Sequence, residues 1–246
     1  MKSLLMVVLL IFSMAAFAQE EDKPQYGWQK EAVAALTMTQ TQFDNYVQGG
    51  ENNFAWQANF NFLFTHTGLH HNWTNTGKFG FGKNKSGDDS ARKSVDEIYL
   101  ETVYTYKQWK SFNPYLSATT ETQFAPGYSY AKDETRTRIS NFFDPIYFRE
   151  SIGFNYIHPK EFIRARAGLG FKQTIADEFA ERYSDDPDTK EIETIRSEVG
   201  LESVVDFNYK VSENSLVISK LELFSNLQAF DEIDVKWDTD LTAKVT

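Results

Sequence analysis

"NNFAWQANFNFLFTHT" occupies residues 52–67, and its spacing decides the fold. Phe54, Trp56, Ala58, Phe60, Phe62 and Phe64 recur at every second position, with Ala55, Gln57, Asn59, Asn61 and Leu63 between them. A strand sends alternate side chains to opposite faces. The stretch is therefore a strand with one apolar face and one mostly polar face. The apolar face has three possible neighbours: a protein core, a bound lipid, or a membrane.

The same period runs through the chain. A first strand of mainly small and Thr residues, "VAALTMTQTQF", spans 33–43. The stretch 54–65 follows, then 72–82, where Trp73, Phe79 and Phe81 share a face. In 97–106, Ile98, Leu100, Tyr104 and Tyr106 oppose Glu97 and Glu101; in 115–124, Leu116, Ala118 and Phe124 oppose Glu121. In 146–157, Ile146, Phe148, Ile152, Phe154 and Tyr156 share a face. Glu150 falls on that apolar parity, next to Arg149. A bulge at this pair, or a shorter strand, is the expected way to relieve it.

The last four strands alternate most regularly. Arg164, Arg166 and Lys172 oppose Ile163, Ala165, Ala167, Leu169 and Phe171. Arg196, Glu198, Glu202 and Asp206 oppose Ile195, Val199, Leu201, Val205, Phe207 and Tyr209. Lys220 and Glu222 oppose Val217, Leu221 and Leu223. Asp234, Lys236, Asp238, Asp240 and Lys244 oppose Ile233, Val235, Trp237, Leu241, Ala243 and Val245. Acidic and basic residues are nearly balanced on the polar faces, as a narrow lumen requires, because an unpaired charge away from water costs several kcal/mol.

Connections alternate in length. The long ones are 44–53, 83–96, 125–145 and 173–193; the short ones are 66–71, 107–114, 158–161 and 210–214. Outer-membrane barrels have short periplasmic turns and longer extracellular loops. Trp73, Tyr106, Trp109 and Tyr156 fall near the short turns, where an aromatic girdle belongs. The reading is an all-β, antiparallel, up-and-down transmembrane β-barrel with ten visible strands. Phe54, Trp56, Phe60, Phe62, Phe64, Phe79, Phe81 and Trp237 face lipid. Glu97, Glu101, Glu121, Arg164, Arg166, Lys172, Arg196, Glu198, Glu202, Asp206, Lys220, Glu222, Asp234, Lys236, Asp238 and Asp240 face the lumen.

The N-terminus "MKSLLMVVLLIFSMAAFAQEED" has a basic Lys2, an apolar run over 4–12 and Ala16-Phe17-Ala18 before Gln19. That pattern is a cleaved signal peptide over 1–18. A periplasmic segment over 19–32 and the barrel over 33–246 follow. The chain has no cysteine, which excludes thiol catalysis and cysteine metal sites. The formal net charge is -10, or -11 once Lys2 is removed with the signal, which argues against a nucleic-acid partner. After the signal no apolar run approaches the roughly 20 residues of a membrane helix, a test that β-strands escape.

No Ser elbow or cofactor motif is present, so no catalytic residue and no cofactor is expected. His66, His70, His71 and His158 lie in or beside short turns. His66 with His70 or His71 would make at most a weak metal site. The acidic loop 176–193 groups Asp185, Asp186 and Asp188, a candidate site for a divalent cation bridging lipopolysaccharide phosphates. Its spacing lacks the turn Gly and terminal Glu of a calcium-binding EF-hand loop, and a solvated loop is the plainer reading. "APGYSY" (125–130) turns at Pro126-Gly127 and is a candidate binding or lumen-plugging loop.

"GGENNF" (49–54), "TQFAPGYSY" (122–130), "TRISNFFDPIYF" (137–148), "SKLELFSN" (219–226) and "IDVKWD" (233–238) together resemble a family of Bacteroidetes-type secreted proteins of unknown function, regarded as outer-membrane β-barrels. The resemblance implies a barrel in the cell envelope and no assigned activity. The chain departs from it in carrying Asn45-Tyr46 where the family has Asn-Trp. It also stops at "DLTAKVT", where members continue for about two strands, which points to a chain truncated at Thr246 with about twelve strands intended. A ten-strand barrel closed as it stands is the alternative.

The expected role is structural, or passive binding and transport, in a Gram-negative outer membrane, with a lumen filled by ion pairs. The expected partners are outer-membrane lipid, lipopolysaccharide and the barrel-assembly machinery. One alternative is a soluble periplasmic β-barrel that encloses a lipid or other apolar ligand, with the Phe stripe pointing inward. A second is an outer-membrane lipid-modifying enzyme.

Overall fold

The structure, a computed structural model, describes residues 26–43, 50–131, 135–186 and 189–244. The expected signal peptide lies outside the described residues. The elements are β1 (Gly27–Thr41), β2 (Asn53–Thr67), β3 (His71–Ser86), β4 (Arg92–Tyr106), β5 (Phe112–Thr122), β6 (Gly127–Tyr130), β7 (Arg136–Ser140), β8 (Ile146–Ile157), β9 (Ile163–Ile175), the single helical turn α1 (Ala180–Tyr183), β10 (Ile195–Ser212), β11 (Ser215–Asn226) and β12 (Ala229–Ala243). Among the described residues, ten strands form one antiparallel sheet in the order β1-β2-β3-β4-β5-β8-β9-β10-β11-β12. Each joins its neighbour in sequence, except that β6 and β7 fold out as a separate hairpin. The fold is all-β and up-and-down.

The alternating pattern sets the register. Phe60 stands opposite Phe79, and Phe62 opposite Gly77. The Phe60 ring packs 6.1 Å from Phe79, and Phe62 stacks 4.7 Å from Phe64. The Phe62 ring lies where a β-carbon of residue 77 would sit, so any larger residue there would have to displace the ring. Such cross-strand aromatic contacts each contribute roughly 0.2–1 kcal/mol.

The sheet is rolled. Lys220 on β11 reaches Glu101 on β4, and Lys236 on β12 reaches Glu121 on β5. In a flat sheet strands five places apart would stand about 24 Å from each other. Their side chains meet only because the sheet curls around one face, which makes the charged face concave. The buried hydrophobic Tyr99, Tyr115, Val204 and Phe224 share this concave face with the buried Arg166, Glu202 and Glu222. The convex face exposes Phe60, Leu100, Leu116, Ile152, Leu169, Leu201, Val235 and Trp237. Polarity is thus inverted relative to a protein that dissolves by burying its apolar residues.

The two ends of the sheet are free edges. Among the described residues, β1 pairs with β2 alone and β12 with β11 alone. Because neighbours alternate in direction, β1 and β12 run antiparallel to each other.

Several expected boundaries shift. The first strand begins at Gly27, inside the segment assigned to the periplasm, and the strand opened by "NN" runs on through Thr67. The expected long connection 83–96 shrinks to 87–91, because β3 and β4 continue well past the apolar stretch and form ladder pairs up to Asn84↔Arg92. The link 227–228 is as short as the turns at the opposite end. Loop-length contrast therefore survives at 42–52, 123–145 and 176–194 only. Glu150 is not relieved by a bulge. β8 is paired without a register shift on both sides, Glu150 standing opposite Ala118 on β5 and Phe171 on β9.

Candidate functional site

The concave face gathers charges from seven strands. From β4 come Glu97, Tyr99 and Glu101; from β5 Glu121; from β8 Arg149; from β9 Arg166 and Lys172. From β10 come Glu198 and Glu202, from β11 Lys220 and Glu222, and from β12 Asp234 and Lys236. Period two alone puts them on one face, and the roll brings distant strands into contact.

Their contacts form one alternating run centred on Lys220 and two smaller groups, one around Lys172 and one around Lys236. Arg149 lies 3.3 Å from Glu222 and 3.8 Å from Glu202. Glu222 accepts from Lys220 at 2.9 Å, and Lys220 also donates to Glu101 at 3.2 Å. Glu101 is bidden for from the other side by the Arg166 guanidinium. Nearer β12, Lys172 joins Glu198 at 3.1 Å and Asp234 at 2.6 Å. Lys236 joins Glu121 at 2.9 Å and Glu97 at 3.7 Å. Every carboxylate in the run touches a cation, the condition for holding ions away from bulk water.

Tyr99 sits at the centre of the run and is only 2 % exposed. The ammonium groups of Lys78, Lys220 and Lys236 stand 5.5, 5.2 and 5.2 Å from its ring centroid. Lys220 donates to its hydroxyl oxygen at 2.9 Å. Phe224 covers Gly170 and Gly200, and a β-carbon on Gly200 would lie 2.5 Å from the Phe224 Cζ. Lys172 stands over the Phe224 ring at 5.3 Å. Toward the end carrying the long loops remains a cavity of about 310 Å³, lined by Tyr147, Arg149, Lys172, Glu222, Asp234 and Lys236 among others.

Of the sequence-selected charges, Glu97, Glu101, Glu121, Arg166, Lys172, Glu198, Glu202, Lys220, Glu222, Asp234 and Lys236 are brought together here. Arg164 instead pairs with Glu161 at the turn, at 3.3 Å, and Arg196 with its near neighbour Glu198 at 3.5 Å. Asp206 stands opposite Arg164 and Lys220 in the ladder. Asp238 and Asp240 lie exposed on edge strand β12 with no ion pair among the described residues. Phe54, Trp56, Phe60, Phe62, Phe64, Phe79, Phe81 and Trp237 have the opposite parity, and Trp237 is 71 % exposed. The stripes of charge do not single out Tyr99, Tyr115, Phe224 or Lys78, which also line this face. Parity marks them: Tyr99 falls between Glu97 and Glu101, and Lys78 is out of phase with Phe79. The aromatic residue type masked that signal for three of them.

At one end of β1–β4 a ring cluster forms. His66 Nδ1 lies 3.0 Å from His71 Nε2, and the imidazoles stack with centroids 5.1 Å apart. Trp28 packs 5.1 Å from His66 and 5.6 Å from Trp73, and His71 stacks on Tyr104. His70 is exposed in the turn.

Asp185 and Asp186 follow α1, and Asp188 lies outside the described residues. Among the described residues no group of three His, Asp or Glu is placed to hold a metal ion. In this loop the Thr189 hydroxyl and the Asp186 amide donate to Glu193 and hold its carboxyl below the usual carboxylate range.

Fold and site together define a rolled, up-and-down antiparallel β-protein with ion pairs inside and apolar side chains outside. Residues 38–128, covering β2 to β5, match a family described as a protein of unknown function (DUF3078). No curated protein and no solved structure matches the chain.

Proposed function

We infer that the chain is an outer-membrane β-barrel with an occluded lumen, in a structural or passive binding and transport role. The observation that carries this reading is the inverted polarity. Glu202 and Glu222 are 3 % and 6 % exposed on the concave face, while Leu169 and Trp237 on the convex face are 56 % and 71 % exposed. A bilayer is the solvent in which that arrangement is favourable. The ring cluster of Trp28, His66, Trp73 and Tyr104 at the short-turn end suits a girdle at the membrane–water boundary. In this reading β1 and β12 come together, directly or through further strands, because a lipid-exposed sheet edge leaves backbone groups unsatisfied.

A soluble carrier of an apolar ligand would need an apolar interior, and the concave face offers ion pairs instead. For an outer-membrane lipid-modifying enzyme, the His66–His71 pair is the nearest candidate, and it belongs to the ring cluster. The outer membrane supplies lipid and lipopolysaccharide as partners in this account, and the assembly machinery inserts the chain. Membranes washed in alkaline carbonate should retain the protein, and its gel mobility in detergent should change on heating. Release by carbonate would overturn the reading.

A further inference from the structure

Among the described residues, the outer wall carries a carboxylate with no ion-pair partner. Glu150 lies near the middle of β8, between Phe148 and Ile152, and is exposed on the convex face. Around it stand Leu116 and Ala118 of β5 and Leu169 and Phe171 of β9, all of convex parity. Its neighbour Arg149 turns inward to Glu222. Among the described residues nothing donates a hydrogen bond to the Glu150 carboxylate and no cation lies within ion-pair distance of it. The ladder is regular on both sides, so no slip of register rotates the carboxylate into the interior.

If the chain is the membrane barrel inferred above, on which this step rests, Glu150 is an ionisable group set in the apolar band. Such residues are costly there, and they persist where they meet a partner. We propose that the β5–β8–β9 wall is a docking face for a membrane-embedded segment of another protein, one that presents a Lys or Arg to Glu150 at the same depth.

Charge complementarity selects this occupant over a second copy of the chain. Copies related by an axis along the membrane normal place equal depths against each other, so a second copy would need an outward cation near mid-strand. Its outward-parity cations stand instead near strand ends: Lys30 at the start of β1, and Lys83 and Lys85 at the end of β3. Lys172, Arg166, Lys220 and Lys236 all point inward. The anionic outer face of lipopolysaccharide would repel Glu150, whereas a cationic side chain in an apolar segment would neutralise it. The flanking Ala118 leaves room for close approach on the β5 side.

The test uses the full chain, donor-labelled, in phosphatidylcholine vesicles with acceptor-labelled polyleucine transmembrane helices. One helix carries a single central Lys, and the control carries Leu there. Energy transfer should show the Lys helix binding at least tenfold more tightly than the Leu helix. Glu150→Gln should abolish that preference, while Thr120→Ala on the same wall should retain it. Equal binding of the two helices, or a preference that survives in Glu150→Gln, overturns the proposal. So does Glu150-dependent energy transfer between two labelled copies of the chain, which would make the occupant a second copy. Flotation with the vesicles separates the two levels. A protein that does not float overturns the barrel reading and this step together; one that floats without the Lys preference overturns this step alone.

Discussion

Lys220 on β11 donates to Glu101 on β4 at 3.2 Å, although β5, β8, β9 and β10 lie between the two strands in the sheet. This contact spans the concave face of the rolled sheet. Replacing Glu101 by Gln leaves Arg166 and Lys220 facing each other without their shared carboxylate. Breaking a buried pair from one side costs about 3–5 kcal/mol. Glu101→Gln should lower stability by that order, read as the urea midpoint in vesicles. Adding Arg166→Met should restore part of the loss, since Lys220 keeps Glu222 at 2.9 Å whereas Arg166 has no other ion pair among the described residues.

The two faces of β2 should respond oppositely to charge. Phe60 is convex and Asn59 concave. In a bilayer, Phe60→Arg should cost roughly 2–4 kcal/mol, while Asn59→Arg should change stability by less than about 1 kcal/mol. Reversible unfolding from lipid vesicles measures both. Equal effects would argue against a lipid-facing convex wall.

The interior run also bears on conduction. Tyr99, Phe224 and the Arg149–Glu222–Lys220–Glu101–Arg166 chain cross the concave interior. Planar-bilayer recordings should show no large stable channels for the unaltered protein. The double variant Tyr99→Ala/Lys220→Ala removes the central ring and its principal cation, and should raise the conductance.

Gly200 is required by Phe224. A β-carbon there would lie 2.5 Å from the Phe224 Cζ and equally close to the Ser225 carbonyl oxygen. Gly200→Ala should therefore destabilise by about 1–3 kcal/mol through overpacking. Phe224→Leu in the same chain should recover only the ring's share of that loss, because the backbone contact persists.

The free edges make a further prediction. In β1 alternate amides bond to β2, and the others point outward from the free edge. If β1 and β12 meet a strand in the membrane, both sets exchange slowly with deuterium in detergent or vesicles. If the edges stay free, residues 32–38 show fast and slow amides in alternation.

Much of this was legible in the sequence because period two is a local property. The ten strands of the sheet and the facing of the Phe54–Phe64 and Arg164–Lys172 stripes followed from parity alone. Strand ends did not, since Lys83 to Ser86 and Arg92 to Ser94 are polar residues that extend the ladder by backbone pairing, which parity of apolar residues cannot register. The charges that face inward were identifiable, but not their partners. Whether Lys236 meets Glu121 or Asp240 depends on the roll of the sheet, a property of the whole fold. Tyr99 escaped because an aromatic side chain reads as apolar, while its hydroxyl and its ring face are what three lysines use.

The central claim is that the convex apolar face contacts lipid, and spin-label scanning of residues 54–64 on β2 tests it most directly. In reconstituted vesicles, labels at Trp56, Ala58, Phe60, Phe62 and Phe64 should collide readily with oxygen and be shielded from a water-soluble nickel chelate, whereas labels at Gln57, Asn59 and Asn61 should lose the oxygen signal. A nickel response as strong at Phe60 and Phe62 as at a loop position such as Asp89 would contradict it.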